Sequence, residues 1–303
     1  MSDNKYLEDI LKSQNLADDS EQLEALRGHR ADVEAVLLKH FEESSPTIRY
    51  GGSVAKGTLI VESYDLDVIC YFKQDDTGTG ETLKDIYYNT KAALENDYLI
   101  EEKPSALRLK SRNVSEWGTD FHIDVVPGRY TDDTKTDTFL YQSSGEKCRL
   151  KTNLDVHIAH VKDSGVIDAI RLMKLWRVRY GLAPTVKNFA LELLTIEVLK
   201  DKKDSSLTDQ LKHLLTELRD NSDSISIEDP ANPEGNDLSE LLNDGVRQAF
   251  ASVASSTLGL IENSGWEQVF GSAETEDTGS KSTALRQAAA AVVTPSKPWA
   301  TDL

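Results

Sequence analysis

The chain has 303 residues, of which 39% are hydrophobic and 28% charged. That is enough apolar material for a core and more length than one core usually spans. A formal net charge of −18 leaves a surface that repels polyphosphate on average, so stable binding of a long nucleic acid, which needs a broad basic surface, is not expected.

No apolar run approaches the roughly 20 residues that cross a bilayer. The start, MSDNKYLEDILKSQN, is acidic and polar where a signal peptide is basic and then apolar. Cys70 and Cys148 are too few for a disulfide scaffold and lack metal-ligand spacing. The expectation is a cytoplasmic protein without a membrane partner.

Residues 20–43 place Leu23, Leu26, Val33, Val36, Leu37 and Phe41 at near-helical spacing, which predicts a long amphipathic helix interrupted only by Gly28. After TIRYGGS and a turn, DLDVICYF reads as a strand from its β-branched and aromatic content. A Gly/Thr-rich loop at 77–80 precedes a predicted helix, ETLKDIYYNTKAALEN, and strands follow at SALRLKS and DFHIDVVP. From about residue 153 the pattern turns helical, through NLDVHIAHVKDSG, VIDAIRLMKLWRVRYGL and FALELLTIEVLKD, with Gly165, Gly181 and Pro184 as stop signals. Further helices are expected at 206–220 and from Leu238 to about Ile261.

This order predicts an α+β fold in two lobes, a mixed sheet with flanking helices and a helical lobe after it. The boundaries expected are 1–152 for the core, including the long N-terminal helix, 153–293 for the helical lobe, and 294–303 for a loosely held tail.

In Asp65-Leu66-Asp67-Val68 strand alternation projects both aspartates from one face. Asp120-Phe121-His122-Ile123-Asp124-Val125 alternates in the same way, so Asp124 is placed to complete the set from a neighbouring strand. Three carboxylates suit Mg²⁺, a hard cation that takes oxygen ligands. Two such ions about 4 Å apart can activate an attacking hydroxyl and stabilise leaving pyrophosphate. A lone aspartate is more often a turn residue or a strand-edge guard, so the argument rests on the set.

Upstream, Gly51-Gly52-Ser53-Val54-Ala55-Lys56-Gly57-Thr58 reads as a turn whose backbone N–H groups can approach a phosphate, with Ser53 adding a hydroxyl. Ser53 precedes Asp65 by twelve residues. Between Asp168 and Glu192 there is no carboxylate, yet Arg171, Lys174, Arg177, Arg179 and Lys187 all fall there. Read as a positive patch, this run would hold a triphosphate; read plainly, it is a solvated helix face.

Gly52-Ser53, Asp65-Leu66-Asp67 and Asp124 within HIDVVP together resemble the polymerase-beta-like nucleotidyltransferase superfamily. Within it the chain is similar to the branch of oligoadenylate synthases, archaeal-type (class I) CCA-adding enzymes and bacterial cGAS/DncV-like nucleotidyltransferases (CD-NTases), over residues 45–270. The resemblance implies catalytic and metal roles for Asp65, Asp67 and Asp124, with two Mg²⁺ ions or Mn²⁺ in their place. It implies triphosphate contacts from Gly52, Ser53, Lys174 and Lys187. Asn188 is implied with them as a triphosphate-binding position, at a place where a serine is common before the aromatic Phe189.

It further implies that NTPs, ATP among them, are joined into a cyclic di- or trinucleotide or short linear oligonucleotide in antiphage (CBASS) signalling, with regulatory or effector proteins encoded in the same operon as partners. Two other readings stand beside it: a CCA-adding-like enzyme acting on RNA 3′ ends, against which the acidic charge argues, and a catalytically silent nucleotide-binding protein. The Asp229-Pro230 loop and the GWEQVFG stretch, with Trp266 and Phe270, resemble elements of the same branch; shaping of the cleft and core packing are their expected roles. His122 shares the predicted face of Asp124 and is expected to be a partly exposed strand residue.

Overall fold

The computed structural model describes residues 2–16, 21–63, 66–112, 122–144, 148–183 and 185–272. Helix α1 (Asp3–Ser13) is capped by Ser2, whose hydroxyl accepts from the Lys5 N–H, and it buries Tyr6, Leu7, Ile10 and Leu11. That spacing keeps all four on one flank. Helix α2 (Glu21–His40) runs through Gly28 without a break. Helix α3 (Gly52–Lys56) is short, and α4 (Leu83–Leu94) starts at a capping box in which Thr82 and Asp85 bond each other's backbone N–H.

One sheet holds β1 (Thr47–Tyr50), β2 (Leu66–Phe72), β3 (Tyr98–Glu102), β4 (Leu107–Ser111), β5 (Ile123–Tyr130), β6 (Thr138–Tyr141) and β7 (Arg149–Thr152). The order is β1-β2-β5-β4-β3, with β6 joined to β5 and β7 to β6. β2 and β5 are parallel and the other pairs antiparallel, the mixed sheet that the alternation of strands and helices predicts. The helical portion follows as α5 (Leu154–Lys162), α6 (Ile167–Arg179), α7 (Asn188–Val198), α8 (Leu207–Asp220), α9 (Asp244–Ser264) and α10 (Glu267–Phe270).

Alternation along β2 sends Val68, Cys70 and Phe72 to one face, where they pack with Leu107, Leu109, Ile123 and Val125 beneath α2 and α4. Ile69 and Tyr71 point the other way, into a small cluster with Tyr130 and Leu140. A separate helical core gathers Leu172, Trp176, Leu194, Leu211, Leu214 and Phe250. Its Trp176 ring lies nearly parallel to Phe250, and its indole N–H donates to Thr257 Oγ1 at 2.9 Å. Trp266 and Phe270 are buried in this core, stacked on each other.

The same core takes in the apolar flank of α1 and the side chain of Ile60, so residues from both sides of position 152 build it. Each such aliphatic side chain contributes about 1.5–3 kcal/mol on burial. Among the described residues no helix is long and apolar enough to cross a membrane.

Candidate active site

The parallel register of β2 and β5 sets Asp67 directly opposite Asp124. The antiparallel register of β5 and β4 sets Arg108 opposite Asp124 on its other side. Opposed residues on neighbouring strands share a face and lie about 5 Å apart. Val68 and Val125, the next residues along, are fully buried toward α2 and α4. Asp67 and Asp124 therefore project together from the opposite face, each half-buried. Asp65, the remaining predicted carboxylate, lies outside the described residues, as do Asp120 and Pro184.

Arg108 grips Asp124 with two bonds: its Nε donates to Oδ1 and its Nη2 to Oδ2, each at 2.8 Å. A forked guanidinium–carboxylate pair is charge-assisted and planar, so it fixes the orientation of the carboxylate. Nothing in the local pattern of SALRLKS marks Arg108 as part of this site; its place comes from register alone.

The glycine turn meets β2 at the same level. The Gly51 N–H donates to the Asp67 carbonyl at 3.0 Å. A Cβ on Gly51 would sit 3.3 Å from the Asp67 Cβ and 3.5 Å from both Ile69 Cδ1 and Leu154 Cδ1, a tight fit in which a neighbour would have to give by a few tenths of an ångström. Gly52 follows with φ of +73°, in the left-handed region that glycine tolerates. Ser53 is buried in α3, and its carbonyl accepts from the Thr58 N–H at 2.9 Å.

Behind the turn stands Glu192, from the middle of α7, with its side chain only 3% exposed. Its Oε2 accepts from Lys56 Nζ at 2.8 Å and its Oε1 from Thr58 Oγ1 at 2.9 Å. Lys56 also lies over the Phe189 ring, 5.5 Å from its centroid. The signal for Glu192 in the sequence is a single acid set among the apolar residues of FALELLTI.

The basic run of α6 is neither an open positive patch nor a solvated face. Lys174 is fully buried and donates to the Thr58 carbonyl at 3.1 Å. Arg171 Nε donates to the Leu59 carbonyl at 3.3 Å, and its Nη2 also reaches Asn15. Arg177 is buried and bonds the Val186 carbonyl, while Arg179 forks onto Glu62. The physical reason is local: Ile170, Met173 and Trp176 bury one flank, and the adjoining long side chains satisfy carbonyls of the loop packed against it. Lys174 thus lies beneath the predicted phosphate turn. Lys187 is exposed at the N-terminus of α7, and Asn188 is that helix's first residue.

Asp229 is buried and accepts from the Ala231 N–H and from Asn236 Nδ2, and its Oδ1 lies 3.3 Å from His157 Nε2, which also lies 3.1 Å from Thr152 Oγ1. Asn236 in turn donates to the Lys151 carbonyl, which pins the loop to β7. Burial pushes the His157 imidazole below its ordinary pKa, with Asp229 opposing the shift. His122 is half-buried just ahead of β5.

Asp67 and Asp124 supply hard oxygen donors on one face, which fits Mg²⁺ held by one or two carboxylates and completed by water and substrate phosphates. Among the described residues no group of three acidic, histidine or cysteine side chains gathers to hold a metal; Asp65 lies outside that set.

No protein-family model and no curated protein matches the chain. Solved structures do. CdnC of E. coli MS115-1, in its complex with HORMA-deltaN, shares 20% identity at a TM-score of 0.63, over 90% of this chain and 98% of that one. The Bradyrhizobium diazoefficiens CD-NTase CdnG, solved with GTP, shares 13% identity at a TM-score of 0.61, over 95% and 98%. Vibrio cholerae DncV, a cyclic AMP-GMP synthase and prokaryotic cGAS homolog, shares 15% identity at a TM-score of 0.58, over 90% and 86%. At these identities the likeness is one of fold: this chain has the mixed sheet and helical portion of the CD-NTase structures.

Proposed function

We propose that this chain is a divalent-metal-dependent nucleotidyltransferase of the CD-NTase kind, joining NTPs into a cyclic di- or trinucleotide or a short oligonucleotide. Bacterial antiphage signalling (CBASS), in the cytoplasm and with proteins of the same operon as regulators or effectors, is the setting that belongs to this reading. The observation that carries it is the cross-strand pair Asp67 and Asp124 beside the Gly51 to Ser53 turn. The fold supports it too, since similar structures were solved with ATP and with GTP.

Asp67 and Asp124, with Asp65, are the residues that would hold Mg²⁺ or Mn²⁺. When bound, such ions supply charge neutralisation for the phosphates and the leaving group. Gly52 and Ser53 hold the donor triphosphate at the turn, which Lys174 braces from beneath. Lys187 and Asn188 approach it from the start of α7. Asp124, oriented by Arg108, takes the proton of the acceptor hydroxyl as that oxygen bonds to the donor α-phosphorus. The bond from the α-phosphorus to the bridging oxygen breaks, and pyrophosphate leaves. Positioning and electrostatics account for most catalysis in such in-line transfers.

The purified protein, incubated with Mg²⁺ and labelled NTPs, is expected to yield a small phosphatase-resistant product. Extension of an added RNA 3′ end would establish the CCA-adding-like alternative instead, and absence of any product the silent binder. The charge of −18 disfavours the RNA reading.

A further inference from the structure

The segment from Gly57 to Ser63 joins the glycine turn to β2, and the described part of it is fastened almost residue by residue. Lys174 holds the Thr58 carbonyl and Arg171 the Leu59 carbonyl. The Ile60 side chain is sunk in the helical core. The Val61 N–H donates to the Gln14 carbonyl at 3.1 Å, and the Glu62 N–H to Gln14 Oε1 at 3.3 Å.

Glu62 then receives three side-chain bonds. Arg179 Nε donates to Oε2 at 3.1 Å, Arg179 Nη2 to Oε1 at 2.5 Å, and Gln14 Nε2 to Oε1 at 3.0 Å. Arg179 also bonds the Phe270 carbonyl, and Tyr6 of α1 donates to the Gly271 carbonyl at 2.6 Å. Elements from both ends of the described chain thus converge on one carboxylate, five residues ahead of Asp67.

We propose that Glu62 is a positioning residue for Asp67 of β2, and that α1, through Gln14 at its C-terminal end, is part of the scaffold of the metal site. This rests on the proposed function. The cause is the short chain length: β2 begins at Leu66, four residues after Glu62, so the anchor of Glu62 limits where the start of the strand can lie relative to β5. A forked guanidinium fixes both the distance and the plane of its partner, which a lysine ammonium cannot do. Groups hydrogen-bonded directly to metal ligands typically change metal affinity by about 10–100-fold when altered, and Glu62, which acts through the backbone, belongs at the lower end of that range.

The test measures Mn²⁺ binding to the protein, from the loss of the free hexaaquo signal in electron paramagnetic resonance beyond the loss that the same concentration of a non-hydrolysable ATP analogue causes alone. Glu62→Gln is expected to weaken Mn²⁺ binding roughly tenfold. Arg179→Lys keeps the charge but loses the fork; it is expected to weaken binding severalfold and carries the test if the first variant melts early. In turnover, both should raise the Mg²⁺ concentration for half-maximal rate while leaving the KM for ATP at saturating metal near the wild-type value. A merely structural ion pair would not produce that split. Folded variants whose Mn²⁺ affinity stays within about twofold of wild type overturn this proposal alone. Wild-type protein that fails to bind Mn²⁺ with the nucleotide overturns the proposed function as well.

Discussion

Replacing Glu192 with alanine removes the acceptor of both Lys56 Nζ and Thr58 Oγ1 and leaves the ammonium beside the Phe189 ring. Deleting one partner of a buried ion pair typically costs about 3–5 kcal/mol, because the other charge stays desolvated. The Lys56 side chain is 14% exposed and has a path to water, which places the expected loss near the lower end, about 3 kcal/mol. At about 1.6 °C per kcal/mol for a chain of 303 residues, the melting midpoint should fall by roughly 5 °C. The pair Glu192→Leu with Lys56→Met removes both charges and should recover part of that loss. Urea unfolding of the wild type, both single variants and the double variant measures the coupling. A Glu192→Ala protein within about 0.5 kcal/mol of wild type, the range of an ordinary surface change, would refute the reasoning.

Gly51→Ala puts a methyl group 3.3 Å from the Asp67 Cβ, so the turn must back away from β2. The expected cost is about 1–3 kcal/mol of stability, together with a fall in nucleotide affinity; unchanged ATP binding in calorimetry would show that the close approach is not needed. Burial lowers the pKa of both His157 and His160, so the unfolded chain binds more protons than the native one just below pH 6.5. Stability from these groups is complete above that pH and declines as pH falls through it toward their lowered folded values. Melting midpoints between pH 8 and pH 5 should drop on the acid side, and less steeply in His157→Gln; a flat or rising profile toward acid would contradict the burial argument.

Of the three predicted carboxylates Asp65 lies outside the described residues; that Asp67 and Asp124 share a face was legible because strand alternation is a local pattern. Arg108 was not, since cross-strand register depends on how two distant segments align. The basic run of α6 shows its charge in the sequence but not its acceptors: the Thr58 and Leu59 carbonyls and Glu62 in a loop more than a hundred residues upstream, and the Val186 and Phe270 carbonyls downstream. Strands β3, β6 and β7 are only four or five residues long, too short for a strand pattern to stand out, and Arg149 and Lys151 leave β7 little apolar content. The N-terminal segment reads as polar overall, although Tyr6, Leu7, Ile10 and Leu11 carry the spacing that docks it.

Pyrophosphate release from ATP, alone and with GTP, by wild type, Asp67→Asn and Asp124→Asn bears most directly on the carboxylate pair. Each amide keeps the size of the side chain, so the melting midpoint should stay near wild type in Asp67→Asn and fall by a few degrees in Asp124→Asn, which loses the charge paired with Arg108, while in both the rate falls about a thousandfold, roughly 4 kcal/mol of lost transition-state stabilisation. If either folded variant releases pyrophosphate within about tenfold of the wild-type rate, Asp67 and Asp124 are not the working centre of this protein.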